Sequence, residues 1–186
     1  LIHKVEMNNC PRSIYCTVST QDSYVYIEYT GLTDSTEYSI FTQGDGIHEL
    51  QVSCENYFVF NHSDDAFITD GALTELLVQA CVLQVGDGLG NGFTFQNDAH
   101  SEIRDTYIQG YGKGINVVND ASTPELQLSS VLFDGCIINM DIANTNTTGF
   151  YDGYSEYNKI NLGINTPFFI TNTDRNVITV AKKGGV

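Results

Sequence analysis

The chain has 186 residues, enough for one domain with a real core, and carries 23 Asp and Glu against 8 Lys and Arg, a net charge of −15. That sign sets it against nucleic-acid backbones and anionic membrane surfaces and favours neutral or cationic partners. Hydrophobic residues make up 41%, which excludes a disordered chain, and no apolar run reaches the roughly 18 residues of a membrane span, so no membrane insertion is expected.

Three prolines, 17 glycines and no tryptophan stand beside abundant Val, Ile, Phe, Tyr and Thr, a β-rich composition. The five cysteines, Cys10, Cys16, Cys54, Cys81 and Cys136, are odd in number and show no metal-type spacing. They read as buried reduced thiols, with a Cys10–Cys16 bridge as the alternative, and lean towards folding in a reducing compartment.

In chain order, "LIHKVEM" (1–7) opens directly in a strand-like pattern without an initiator Met and pairs with "IYCTV" (14–18) as a partial unit. The start suggests a fragment of a longer polypeptide. "YVYIEYTGL" (24–32) and "YSIF" (38–41) form the next unit. A clearer ladder follows. "HELQV", "TELLV", "SEIRD" and "PELQL" each place an apolar residue after a Glu, at Leu50, Leu76, Ile103 and Leu126, spaced 26, 27 and 23 residues apart. The preceding acids are Glu49, Glu75, Glu102 and Glu125.

A second series of apolar runs ends in Asn or Gln: "FVFN" (58–61), "FTFQN" (93–97), "INVVN" (115–119), "CIIN" (136–139) and "FFITN" (168–172). Each unit then holds a first strand, a turn, a second strand and a polar loop. "LTELLVQACVLQV" (73–85) fits helical and strand spacing alike, and its match to "HELQV" favours the strand. "YSEYNKINLGI" (154–164) closes the series.

Helical repeats need about 33 residues or more, and a leucine-rich repeat needs a fixed consensus that is missing. A unit of 23–27 residues with short strands and polar turns is a coil of a parallel β-helix. Coils stack at about 4.8 Å, so seven make a column roughly 30 Å tall. Recurrent Asn, Ser and Thr then hydrogen-bond along the stack. The fold class read from the sequence is all-β, a right-handed parallel β-helix.

In these coils, and in the closing "NVITVAKKGGV" (176–186), the chain resembles the right-handed parallel β-helix proteins of the pectin-lyase-like superfamily. In that superfamily a strand of this V-x-V-A-K-x-G-G type commonly opens a domain. The resemblance therefore implies β-helix coils over 1–166 and terminal strands over 167–186 leading into a following module. It also implies the setting in which tandem β-helices occur, namely viral fibres, phage tail proteins and bacterial surface proteins.

The superfamily includes polysaccharide lyases, hydrolases and esterases. Its lyases hold calcium with clustered Asp and use a Lys or Arg base. Only Arg12, Arg104 and Arg175 are present besides five Lys, and Arg104 and Asp105, adjacent on a strand, point to opposite faces. Its hydrolases order N-T-D, D-D and G-H-G; here "NTD" (172–174) follows "DD" (64–65) and G-H-G is missing, so Asp64 and Asp65 read as loop carboxylates. "GDGLGNGF" (86–93) opens no helix and reads as a glycine-rich bulge, ahead of a dinucleotide loop or a Ca²⁺ site.

His3, His48, His62 and His100 lack metal spacing, and His62 and His100 share a loop chemistry that sets them along one edge. "NHS" (61–63) and "NTT" (146–148) are formal glycosylation sequons. Two aromatic groups, Tyr24, Tyr26 and Tyr29, and Tyr151, Tyr154 and Tyr157, offer neutral-glycan chemistry or core packing.

No catalytic, cofactor or metal residue is assigned. The function expected is a structural and adhesive module of an elongated viral or cell-surface fibre, at the virion surface or outside the cell. Expected partners are a neutral glycan, other virion or surface proteins, and copies of itself in a homotrimer. The alternative is a polysaccharide-degrading hydrolase or lyase of tailspike type.

Overall fold

The computed structural model describes residues 1–18, 20–34, 36–60, 64–84, 88–97, 99–118 and 125–142, with the backbone of four further strands, Thr148–Asp152, Lys159–Leu162, Phe168–Thr171 and Val177–Val180. Every strand pairs in parallel with the equivalent strand one coil away, and the described strands form three sheets of eight, six and eight. The architecture is a right-handed parallel β-helix. Phe168–Thr171 stacks on Thr148–Asp152 in the first sheet and Val177–Val180 stacks on Lys159–Leu162 in the third, so both carry the same sheets onward.

Local sequence sets each wall. Leu50–Glu55 reads LQVSCE and buries Leu50, Val52 and Cys54 while Gln51, Ser53 and Glu55 face out. Thr74–Gln79 repeats this alternation. Stacking converts alternation into inward columns. The first sheet contributes Ile2, Ile27, Cys54, Val78, Ile103 and Leu128. The second contributes Met7, Leu32, Val59, Leu83, Ile108 and Phe133. The third contributes Ile14, Ile40, Phe67, Phe93, Ile115 and Met140. Phe67 and Phe93 stack with centroids 4.8 Å apart, and Tyr57 meets Phe67 edge-on at 5.6 Å. Most of these side chains are fully buried, each worth about 1.5–3 kcal/mol against exposure.

Sequence and structure differ in two respects. Each of the first six coils holds three strands, not two. The unmarked strands are mostly three-residue ones of the second sheet, such as Tyr107–Gln109 and Leu132–Asp134, which bury only their central residue. One inward residue makes no periodicity. In the third coil "FVFN" is the second-sheet strand and the unmarked one is Asp65–Asp70, where the sequence reading puts Asp65 in a loop. Second, the Glu-apolar anchors lie in adjacent coils but two residues out of register. Leu50 pairs with Thr74, Leu76 with Val52 and Ser101, and Ile103 with Val78 and Leu128. A two-residue slip keeps every side chain on its own face, so Leu50, Leu76, Ile103 and Leu126 are all buried. The reading of the cysteines as reduced thiols holds: all five are free, four are buried with Cys10 half-buried, and the alternative Cys10–Cys16 bridge does not form. The strand reading of 73–85 holds, as Thr74–Gln79 and Val82–Gln84.

A single left-handed residue joins the first sheet to the second. Lys4, Tyr29, Asn56, Ala80, Asp105 and Ser130 all have φ between 47° and 54°. The ladder runs through this corner: Tyr29 N donates to Glu55 O at 3.2 Å, and Phe58 N donates to Thr30 O at 3.0 Å. The residue after five of these six bends turns inward, so Thr30, Tyr57, Cys81, Thr106 and Val131 are buried, while Val5 after the first is exposed.

Candidate groove on the second sheet

The three-residue strands of the second sheet bury their middle residue and present the two flanking ones. Two outward columns result. One reads Glu6, Gly31, Phe58, Val82, Tyr107, Leu132, and the other Asn8, Thr33, Phe60, Gln84, Gln109, Asp134. Over the first three coils these columns form a groove of about 490 Å³. Phe58 and Phe60 make one wall, Glu6 and Asn8 the opposite wall, and Gly31 and Thr33 the floor. Tyr29 closes one end. The rings of Phe58 and Phe60 are parallel within 2°, with centroids 6.5 Å apart, and are 40% and 38% exposed. Tyr29 is oriented by His3, edge to face at 5.8 Å.

The polar groups of this face divide between its two ends. Towards the later coils they satisfy one another: Tyr107 Oη donates to Asp134 Oδ2 at 2.6 Å and Gln109 Nε2 donates to the same oxygen at 2.9 Å. That bond to the carboxylate holds the Tyr107 phenol up to about 12. The side chains of Glu6, Asn8 and Thr33 make no such bond to a described residue. Their hydrogen-bonding capacity faces the groove. Flat aromatic rings opposite unpaired carboxylate and amide groups suit a ligand with apolar ring faces and a hydroxyl periphery.

The first tyrosine group is split by the fold. Tyr24 and Tyr26 lie on the outer face of the first sheet, where Tyr26 Oη donates to Glu55 Oε2 at 2.5 Å, and only Tyr29, swung round by the bend, reaches the groove. Phe58 and Phe60 were hidden within "FVFN"; the signal for them is that a three-residue strand with Val59 inward must turn both phenylalanines out. The side chains of Tyr151, Tyr154 and Tyr157 lie outside the described residues, as do His62, Arg175, "NHS", "NTD" and all but Thr148 of "NTT".

The remaining candidates have structural partners. Asp65 opens a third-sheet strand and accepts from Asn91 N at 3.0 Å, Asn91 Nδ2 at 2.7 Å and Thr94 Oγ1 at 2.6 Å, tying one coil to the next. A Cβ on Gly90 would lie 2.2 Å from the Asp64 carbonyl oxygen, so the described end of the glycine-rich segment packs coil on coil. Arg104 and Asp105 do not face opposite sides of one strand: Asp105 is the left-handed corner residue, both are exposed, and Arg104 pairs with Glu102. His100 opens a first-sheet strand and, with Glu49, Leu73, Thr74 and Glu75, lines a smaller cleft of about 210 Å³. His48 holds Asp45, Nδ1 to Oδ2 at 2.7 Å, and the backbone NH of His48, with help from that ring and the NH of Ile47, keeps the carboxyl down to about 2. Among the described residues no three His, Cys, Asp or Glu side chains converge as a metal site.

Comparison of the chain with protein-family models, with curated proteins and with solved structures finds no match.

Proposed function

We propose that this chain is a structural and adhesive module of an elongated viral or cell-surface fibre, a β-helix of the pectin-lyase-like kind, and that it holds a neutral glycan in the groove on its second sheet. The observation that carries the reading is the pairing of Phe58 and Phe60 with the unpaired polar groups of Glu6, Asn8 and Thr33. A net charge of −15, with Glu6 in the groove wall, favours a neutral sugar over an acidic one. Coils that stack through continuous columns suit a rigid shaft, and self-association into a trimer belongs to the same reading.

The test is binding to a panel of neutral oligosaccharides, by array and then by calorimetry, for the wild type and for Phe58→Ala with Phe60→Ala. Retention by the wild type and loss in the double variant support the groove. Binding that survives both substitutions removes it. Release of reducing ends from polysaccharide, abolished by Glu75→Gln in the smaller cleft, would replace adhesion with cleavage. Sedimentation equilibrium reads the trimer.

A further inference from the structure

The floor of the groove has a strand position without a side chain, and nothing in the fold demands that. The strand glycines of the third sheet have packing reasons. A Cβ on Gly92 would lie 2.6 Å from Gly114 O, and one on Gly114 would lie 2.5 Å from Phe133 Cε1. Gly31 differs. The nearest atom to its Cβ would be Phe58 O at 3.9 Å, ordinary contact, and its φ is outside the left-handed region. In the same outward column Glu6, Phe58, Val82, Tyr107 and Leu132 all carry side chains. Glycine weakens a strand interior, so its presence here fits a requirement for open space.

We propose that Gly31 is the specificity-determining position of the groove, a notch that seats one ring of a neutral pyranoside crosswise to the column. The proposal rests on the glycan-binding reading. The two walls belong to the first and third coils, so they stand two strand spacings apart, about 9–10 Å. One sugar ring fits between them, its apolar face towards Phe58 and Phe60 and its hydroxyls towards Glu6, Asn8 and Thr33. Any side chain at 31 rises into the centre of that space. The floor follows a three-residue strand about 10 Å long, which has room for about two sugar units before the sheet turns away at Tyr29 on one side and Asp34 on the other. A glycan lying along the column axis would meet different chemistry, because Gln84, Tyr107 and Gln109 follow Phe58 and Phe60 in that direction.

The experiment uses gluco-, galacto-, manno- and N-acetylhexosamine oligomers of one to six units, titrated into the wild type, Gly31→Ala and Gly31→Val. The expected result is affinity that rises from one unit to two and then levels off. Gly31→Val should weaken it at least tenfold, Gly31→Ala by less, and both variants should melt no lower than the wild type. Wild-type binding that is lost with Phe58→Ala and Phe60→Ala but changes less than twofold in both Gly31 variants overturns this inference and leaves the glycan reading standing. Affinity that keeps growing through six units overturns the crosswise seat. A wild type that retains none of these oligomers overturns the glycan reading and the notch with it. If Gly31→Val lowers the melting temperature, Gly31→Ala, which adds one methyl into open space, decides the matter.

Discussion

Gly114→Ala and Gly31→Ala add the same methyl to two parallel-sheet strands and should move stability in opposite directions. At Gly114 the new Cβ would lie 2.5 and 2.6 Å from Phe133 Cε1 and Cδ1 and 2.7 Å from Asn139 O. The first two atoms belong to a ring that is 6% exposed, and the third is backbone of the next coil. Neither can withdraw without disturbing the inward column above Ile108, so the overpacking cost is about 1–3 kcal/mol. At Gly31 the methyl meets only Phe58 O at 3.9 Å. There the loss of unfolded-state freedom should stabilise the protein by about 0.4–1 kcal/mol. For a chain of this size each kcal/mol shifts the melting temperature by about 2–4 °C. Gly114→Ala should therefore melt about 2–12 °C lower and Gly31→Ala about 1–4 °C higher, in scans checked by urea midpoints. A stacked array can unfold in stages, so hydrogen exchange at Ile115 and Phe133 should localise the damage to the coils around Gly114. A Gly114→Ala protein as stable as the wild type would refute the account of why the third sheet carries small residues there.

Further outcomes follow from buried polar and thiol groups. The hydroxyls of Tyr57 and Tyr111 are buried without a hydrogen-bond partner among the described residues. Each leaves about 1–3 kcal/mol of desolvation uncompensated, so Tyr57→Phe and Tyr111→Phe should each raise the urea midpoint. In the folded protein at pH 8, Ellman's reagent should modify Cys10 quickly and the other four only on unfolding, since burial pushes the Cys16 thiol up to about 11 and raises Cys54 and Cys136 as well; Cys16 reacting as fast as Cys10 would contradict the packing. Asp45 should titrate near pH 2 by NMR. Its folded value lies below the ordinary carboxylate range, so its contribution to stability is full above that range and disappears as pH falls towards about 2. His48→Ala should return only part of the shift, because the backbone NH groups of Ile47 and His48 still donate to it.

The sequence revealed the fold wherever six-residue strands alternate, because LQVSCE and TELLVQ each place three residues inward and show their period. It left most of the second sheet unmarked because strands such as Tyr107–Gln109 and Leu132–Asp134 bury one residue each, and it marked Phe58–Phe60 as a strand without setting it in a sheet of its own. The groove was lost with that sheet. Phe58 and Phe60 resemble core residues in any linear reading, and their outward direction becomes legible only when Val59 is placed in the column between Leu32 and Leu83. Register was likewise beyond the motif. Glu followed by an apolar residue marks the face of a strand, and face repeats every two residues, so "HELQV" and "TELLV" match equally well at the true pairing and two residues away from it. What sets the pairing is the corner. Asn56 and Ala80 stack at the end of their strands, and no residue type announces that position.

That corner gives the last outcome its sign. Among the described residues six left-handed ones stack along one edge, and they are a lysine, a tyrosine, an asparagine, an alanine, an aspartate and a serine. The conformation costs an L-residue other than Asn or Asp about 1–2 kcal/mol, and the continuous ladder holds it in place: Ala80 N donates to Arg104 O and Asn56 N to Gln79 O, as they would in a straight strand. At Ala80 a glycine removes that strain and adds back about 0.5–1 kcal/mol of chain entropy, a net gain of about 0–1.5 kcal/mol. At Asn56 little strain exists to remove, so the entropy term remains and Asn56→Gly should be neutral or slightly destabilising. The entropy term is common to both variants, so the strain of about 1–2 kcal/mol separates them, and Ala80→Gly should melt above Asn56→Gly by about 2–8 °C. The reverse order would mean that side-chain stacking along the edge, and not the backbone ladder, holds the bend that carries Tyr29 to the groove.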